Sequence, residues 1–108
     1  MIGGNIQVVL QKGTTIKNEI GEPVQTWEDV QKLTGWLDLS SGDSKHTTYN
    51  AKIQESTHVF ICDYTEIKAE TENARMVAKS GIYDVLLIDN PMELNRQIEI
   101  YLKYTGGQ

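Results

Sequence analysis

Cys62 is the most nucleophilic side chain of this sequence, and His58, four residues earlier, is the base that could activate it. A catalytic cysteine needs its base within about 3 Å. Both residues lie in residues 57–62, a run rich in β-branched and aromatic residues that predicts a strand. Their α-carbons would then stand about 13 Å apart, because each residue of a strand rises ~3.3 Å. The spacing therefore excludes this pair, and Cys62 is expected to be a buried apolar residue.

Other patterns that could bind ligands are equally weak. The two histidines and the single cysteine match no metal-ligand spacing. The acidic run at residues 63–73 lacks the residue order of a calcium loop, so we interpret it as a solvated acidic face. Gly3-Gly4 and Gly106-Gly107 lack the strand and helix of a phosphate-binding loop. We therefore predict no catalysis, no cofactor, no metal and no small-molecule substrate.

Composition restricts the remaining classes. A length of 108 residues predicts a single domain spanning residues 1–108. The formal net charge of −5 disfavours a protein that grips nucleic acid, because such binding needs clustered Lys and Arg. A lone cysteine suits a reducing bacterial or host cytosol. The sequence shows neither a secretory signal nor a membrane-spanning run, so we expect no contact with a membrane.

Alternation of apolar and polar residues predicts an antiparallel sheet. Residues 13–23 are polar and turn-rich, and we expect them to link the first two strands as the long tip of a hairpin. The predicted strands lie near residues 5–12, 24–31, 34–39, 57–62, 75–79, 82–88 and 97–105. Such short antiparallel strands predict an all-β domain, either a small barrel of about six strands or a sandwich.

Residues 66–79 are ambiguous. Local propensity favours a helix there, with Lys79 in its last turn and Gly81 as its C-terminal cap. The alternation just before Ser80-Gly81, followed by a strong strand, favours a β-hairpin. We predict the hairpin, preceded by a short helical turn.

Two regions are candidates for binding a partner. Residues 40–56 form a long polar loop, and loops of this length in compact domains are usually functional or flexible. Trp36 precedes this loop and could cover a barrel mouth or a partner, although Trp27 and Trp36 in adjacent strands more often pack as core or rim. The predicted partner-binding residues are Ser41, Asp43, Lys45, His46, Tyr49, Lys52, Gln54 and Trp36.

The order of several short motifs resembles the phage head-tail joining family, the head-closure or stopper proteins of long-tailed phages and prophage-derived particles. These motifs are Gly35-Trp36-Leu37-Asp38-Leu39, Glu55-Ser56-Thr57-His58-Val59-Phe60 and Gly81-Ile82-Tyr83-Asp84-Val85, followed by a final amphipathic strand. Thr57-His58 and the Gly-x-Tyr-x-Val hairpin are the most specific parts. The resemblance covers nearly the whole chain.

The resemblance implies a small β-barrel with a long loop, assembled as a ring between the portal or its adaptor and a tail-side protein. The implied partners are other copies of the chain and these two neighbours, and DNA would pass through without specific binding. We expect the protein in the bacterial cytoplasm before assembly and in the virion or phage-like particle afterwards. The alternative is a monomeric β-barrel module that binds peptide or nucleic acid, for which a basic, aromatic-lined face would be the distinguishing feature.

Overall fold

The computed structural model of the chain describes residues 4, 6–39 and 56–106. Six antiparallel strands close into a barrel in the order β1-β2-β3-β6-β5-β4. Their bounds are Ile6–Lys17 for β1, Pro23–Leu39 for β2, His58–Asp63 for β3, Ala74–Ala78 for β4, Gly81–Asp89 for β5 and Gln97–Gly106 for β6. Short 3-10 turns at Thr71–Asn73 and Pro91–Glu93 precede β4 and β6. The all-β barrel prediction is confirmed.

The hairpin predicted around Ser80-Gly81 is confirmed, because β4 pairs with β5 from Ala78↔Gly81 to Arg75↔Asp84. The expected short helical turn precedes it as Thr71–Asn73. The predicted strand boundaries near residues 57–62 and 97–105 also agree with β3 and β6. The strand signal thus outweighed the helix propensity of the acidic run.

The prediction for β1 and β2 was partly wrong. Residues 24–31 and 34–39 are one continuous strand, β2, and β1 extends to Lys17. Leu10 pairs with Gln31 and Gln11 pairs with Asp29, so Val30 is the extra residue of a β-bulge. Because the bulge adds one residue, the apolar alternation of β2 changes phase at Val30. In the sequence this change has the appearance of a break between two strands. The turn itself, near Asn18 and Gly21, is where the sequence predicts it.

The core fills the barrel with side chains from all six strands. β6 contributes the regular alternation that its sequence predicts, with Ile98, Ile100 and Leu102 buried. The next residue of this series, Tyr104, is 44% exposed at the end of the strand. The buried apolar residues are Val8, Leu10, Leu33, Phe60, Cys62, Ala74, Met76, Ala78, Tyr83, Val85, Ile98, Ile100 and Leu102.

β1 and β2 continue beyond the barrel as a two-stranded arm, which we define as residues 13–28. β1 pairs with β4 only from Val9 to Lys12, whereas it pairs with β2 as far as Lys17↔Pro23. The described residues span 47 Å in the longest direction and 28 and 26 Å in the others. In the part of the chain that the structure describes, no helix is long and apolar enough to cross a membrane.

The arm defines two ends of the barrel. The arm end carries the arm and the connection from β5 to β6 at residues 90–96. The loop end carries Leu39, the beginning of β3, the turn at Lys79-Ser80 and the end of β6. Residues 40–55 connect to the loop end through Leu39 and Ser56, and they lie outside the described residues.

Candidate assembly surfaces

The structure gives Cys62 no catalytic role. Its side chain is buried in the core, at 2% exposure, as the sequence predicts. Burial, and secondarily the negative charge of Asp63, raises the pKa of the thiol from 9.0 to about 11, so it stays protonated at neutral pH. Among the described residues, no group of three or more His, Cys, Asp or Glu side chains could hold a metal ion.

The acidic segment after β3 is attached to β2 and packs against the core. Gln31 of β2 uses both atoms of its side-chain amide here: Nε2 donates to the carbonyl of Glu66 at 3.0 Å, and Oε1 accepts from the amide of Lys68 at 3.0 Å. Ile67 and Ala69 pack against the core while Glu66 stays exposed. The solvated acidic face is therefore only one side of this segment. The alternation of Ile67 and Ala69 with polar residues indicates the other side, which packs against the core.

The two most specific motifs of the resemblance meet at the loop end. The His58 ring packs edge-on against Tyr83 at 5.0 Å between centroids, and Tyr83 packs against Tyr104 at 5.4 Å. Both distances fall in the favourable range for aromatic pairs. The Tyr83 hydroxyl lies 2.7 Å from the Ser80 hydroxyl, which gives this buried tyrosine a hydrogen-bond partner.

Thr57 connects this aromatic cluster to β6. Its Oγ1 accepts a hydrogen bond from the amide of Tyr104 at 2.8 Å and lies 2.8 Å from Nδ1 of His58. Which of these two atoms donates depends on the tautomer of the His58 ring. The Thr-His motif therefore acts by attaching the beginning of β3 to the end of β6.

The loop end also exposes apolar side chains. Leu39 is 73% exposed there. Trp36, on β2, is 45% exposed, and its partner-binding role stays a prediction. The expectation that Trp27 and Trp36 stand in adjacent strands was wrong, because both belong to β2. The other predicted partner-binding residues, Ser41, Asp43, Lys45, His46, Tyr49, Lys52 and Gln54, lie outside the described residues.

The tip of the arm is held by its own hydrogen bonds. The side-chain oxygen of Asn18 accepts from the amides of Ile20 and Glu22 at 3.1 and 2.9 Å. The amide of Asn18 donates to the carbonyl of Glu22, and the amide of Gly21 donates to the carbonyl of Asn18, each at 3.0 Å. Gly21 has a φ of 83°, which favours glycine. This turn presents Ile20 at 76% exposure.

Arg75 holds the base of the arm against the barrel. Its guanidinium lies 4.3 Å from the centre of the Trp27 ring, a cation–π contact. Its Nε donates to Oε1 of Gln11 at 2.7 Å, and Nε2 of Gln11 donates to Oδ1 of Asp29 at 2.6 Å. Trp27 also covers Gly13, where an added Cβ would meet the ring at 3.0 Å. The direction of the arm is therefore set by packing around Trp27.

A second apolar projection stands at the same end. Nδ2 of Asn90 donates to Oδ1 of Asn95 at 2.8 Å, and the amide of Asn95 donates back to Oδ1 of Asn90 at 3.1 Å. Between them Met92 and Glu93 have positive φ values of 55° and 54°, which are unfavourable for non-glycine residues. Met92 is 86% exposed as a result. The sequence indicates a turn here, but its Asn-Pro pair does not indicate an exposed methionine.

A groove of about 410 Å³ lies beside the base of the arm. Trp27 and Gln25 form its wall on the arm, and β5 and the turn at Thr71–Asn73 form the other side. Its surface combines apolar side chains with two exposed carboxylates, those of Glu72 and Asp84. The residues that line it are Gln25, Trp27, Thr71, Glu72, Ala74, Asp84, Val85 and Leu86.

A closed barrel of six antiparallel strands that exposes apolar side chains at both ends defines a small all-β barrel protein. The family model for phage head completion proteins matches residues 4–103. The chain belongs to this family. It is accordingly a structural component of the phage particle and not an enzyme.

Two solved structures share the fold. The solution structure of a protein from Shigella flexneri 2a is 16% identical, with a TM-score of 0.67 over 100% of this chain and 98% of that one. A chain in the virion of a native gene transfer agent particle is 12% identical, with a TM-score of 0.58 over 91% of each chain. Among curated proteins, none matches the sequence.

Proposed function

We propose that the chain closes the phage head as one subunit of a ring between the portal, or its adaptor, and a tail-side protein. Membership of the head completion family supports a place in the assembled particle. The structural similarity to a chain of the gene transfer agent virion shows that this barrel occurs in such particles. The ring and its two neighbours are the parts that we add.

The observation that carries the proposal is the separation of exposed apolar side chains into two groups. Ile16, Ile20, Val24, Met92 and Leu94 lie at the arm end, whereas Leu39 and Tyr104 lie at the loop end. A monomeric module that binds one ligand needs one such surface. A joint between two different proteins needs two, and exposed apolar patches typically mark protein interfaces.

The charge of the chain supports passage of DNA without specific binding. The formal net charge is −5, and the eight described lysines and arginines are distributed over four strands and three connecting segments. Arg75 is further engaged by Trp27 and Gln11. Like charge disfavours phosphate contacts, so a DNA duplex can move past such a surface.

Electron microscopy of DNA-filled, portal-bearing heads mixed with the purified chain tests this function. We expect a ring of added density at the portal. Leu39→Ser and Ile20→Ser change one exposed side chain at each end, and each variant should block a different junction, one to the head and one to the tail. A chain that stays monomeric and never decorates the heads would contradict the proposal and favour the monomeric binding module.

Residues 40–56 are proposed as a further partner-binding element, which orders on assembly against a neighbouring subunit or plugs the channel. Removing residues 43–54 should leave the barrel folded, as judged by circular dichroism and urea unfolding, yet prevent assembly on heads. Loss of folding in this variant would show that the loop is structural instead. The matched control is a variant that lacks residues 17–23, which shortens the arm at the opposite end of the barrel.

A further inference from the structure

The exposed apolar side chains are concentrated at one end of the barrel. We define the arm-end face as three segments: the arm at residues 13–28, the connection from β3 to β4 at residues 64–73 and the connection from β5 to β6 at residues 90–96. Exposed apolar patches typically mark protein interfaces. Six of the nine exposed large apolar side chains among the described residues lie on this face, and they are Ile16, Ile20, Val24, Tyr64, Met92 and Leu94.

Hydrogen bonds join the three segments into one surface. Gln31, in β2 near the base of the arm, holds the backbone of Glu66 and Lys68 in the middle segment. The amide of Tyr64 donates to the carbonyl of Arg96 at 3.3 Å, which attaches the middle segment to the connection from β5 to β6. A single partner can therefore contact all three segments at once.

Two projections on this face are ordered before any partner binds. Asn18 holds the turn that presents Ile20. The reciprocal hydrogen bonds of Asn90 and Asn95 hold the turn that presents Met92. This second turn retains positive φ values at three non-glycine residues, a strained conformation that is typical of functional sites. Because a rigid binding element loses little conformational entropy on docking, both turns are suited to contact a partner.

The charge of the arm-end face indicates the chemistry of that partner. The face carries seven glutamates and three cations, all exposed, whereas the rest of the described chain carries six carboxylates and five cations. Residues 40–55 add two lysines and two carboxylates. The acidic excess of the protein thus lies on the same face as most of its exposed apolar side chains. The glutamates are Glu19, Glu22, Glu28, Glu66, Glu70, Glu72 and Glu93, and the cations are Lys17, Lys68 and Arg96.

We propose that the arm-end face docks on a basic surface with apolar side chains, presented by one of the two particle proteins that flank the ring. This inference rests on the ring proposed above and gives the chemistry of one neighbour. The exposed apolar side chains are removed from water in the contact, and the glutamates beside them attract lysines and arginines of the partner. The same charges accelerate the encounter with a basic partner and reject acidic ones.

A second copy of the chain does not fit this face. Outside the face, each copy carries six described carboxylates against five cations, so it offers no excess of positive charge. DNA does not fit either, because its phosphates have the same sign of charge as the glutamates. The occupant is therefore a different protein.

Amide NMR spectra of the chain with synthetic peptides test the chemistry of the face. The probe alternates leucine and lysine, and the matched controls replace every lysine with glutamate or every leucine with serine. We expect the leucine-lysine peptide to shift the amide signals of residues 13–28, 64–73 and 90–96, and each control to shift them at least about fivefold less. Equal shifts with the glutamate peptide, or shifts only elsewhere in the barrel, would overturn the proposal.

Neutralising variants test the same face on the particle. Glu19→Gln combined with Glu93→Gln removes two charges from the face, and the matched control, Asp38→Asn with Asp84→Asn, removes two exposed charges elsewhere. The concentration of chain at which half of the DNA-filled heads join tails, counted by electron microscopy, should rise about tenfold for the first variant and less than about twofold for the control. Equal changes in the two variants would contradict a role for this face.

Three further outcomes separate this inference from the proposed function. For the wild-type chain, the half-saturating concentration should rise as NaCl is added, and a constant value would refute the basic partner while leaving the proposed function intact. Heads that the wild-type chain never joins to tails would refute the proposed function, and the peptide spectra would still decide the chemistry of the face. Oligomers of the chain alone in sedimentation velocity, lost in Met92→Ser, would show that a second copy occupies the face and would overturn the proposal.

Discussion

The arm end and the loop end of the barrel both expose apolar side chains, but at the loop end one of them, Tyr104, packs directly against a core residue. Tyr83 is 2% exposed, and its ring contacts both His58 and Tyr104. At the arm end, Ile20 and Met92 stand on turns that their own backbone and asparagine hydrogen bonds hold in place. The apolar surface there is separate from the packing that stabilises the fold.

This difference means that folding and assembly are coupled at one end and separable at the other. A substitution at the loop end disturbs the attachment of β3 to β6 together with any partner that binds there. A substitution at the arm tip leaves the core untouched. The following predictions measure this difference, in decreasing order of the expected effect on stability.

Tyr83→Ala should have the largest effect. It removes a buried aromatic ring, two ring contacts and the hydrogen bond to Ser80, so we expect a loss of about 3–5 kcal/mol in the free energy of unfolding. Ile16→Ala, in the arm, removes a half-exposed aliphatic side chain and should cost less than about 1 kcal/mol. Urea unfolding of both variants measures the comparison, and equal losses would show that the arm belongs to the core.

Two glycines with positive φ provide a matched pair. At Gly81, an added Cβ would lie 2.6 Å from the carbonyl oxygen of Gly106 and from the Tyr104 ring. At Gly21, nothing lies within 4 Å. Gly21→Ala should therefore cost only the backbone strain, about 1 kcal/mol, whereas Gly81→Ala should cost about 3 kcal/mol because crowding adds to it. Thermal unfolding of both variants tests this, and a larger cost at Gly21 would contradict it.

The free energy of unfolding should fall at alkaline pH because of two groups between the ends of the barrel, Tyr101 and Cys62. Burial, and next the charge of Glu99, raises the pKa of Tyr101 from 10.0 to about 12, and burial raises that of Cys62 from 9.0 to about 11. The folded state thus favours the protonated form of each group over its ionised form. Their contribution is complete below pH 9 and is lost as the pH rises towards 11 and 12.

Urea unfolding at pH 8, 10 and 11 measures this loss. Tyr101→Phe should remove the part that appears above pH 10, and Cys62→Ala should remove the part that begins near pH 9. Because both groups lie between the ends, Ile20→Ser should not change the pH profile. An unchanged profile in both Tyr101→Phe and Cys62→Ala would rule out these two groups as its source.

Ile20→Ser should have the smallest effect on stability, within about 0.5 kcal/mol, because the side chain is 76% exposed and makes no core contact. Urea unfolding of this variant alongside Tyr83→Ala gives the sharpest form of the comparison between the ends. A loss above about 1.5 kcal/mol would show that the tip supports the fold of its own subunit.

The hairpin of β4 and β5 was predictable because its signals are local: the turn signal Ser80-Gly81 lies between two runs of apolar alternation, and the turn itself is at Lys79-Ser80. The same was true of β6. The arm was not predictable in this way. The arm contains residues that occur in turns as well as in exposed strands, such as Thr14, Thr15 and Asn18. The sequence alone therefore does not distinguish a long loop from an exposed strand here.

The candidate surfaces were predictable only in part. Trp36 is 45% exposed on β2, and His58 of the Thr57-His58 motif packs against Tyr83 of the other motif. The contact between Arg75 and Trp27 joins β4 to β2 across the sheet, and neither residue's neighbours in the sequence indicate it. Long-range contacts of this kind depend on the register between strands, which a single bulge can change.

That bulge determines which side of the arm carries which side chain. Trp27 and Leu33 are six residues apart and would share a face in a regular strand, but the extra residue Val30 places Trp27 on the outer side and Val24 on the side of the barrel interior. A one-codon deletion of Val30 would restore a regular ladder with each side chain on its present side, and it would remove the bend that the bulge gives to the strand. A lineage of such proteins could in this way change the direction in which the arm leaves the barrel, while the barrel that carries the arm stays the same.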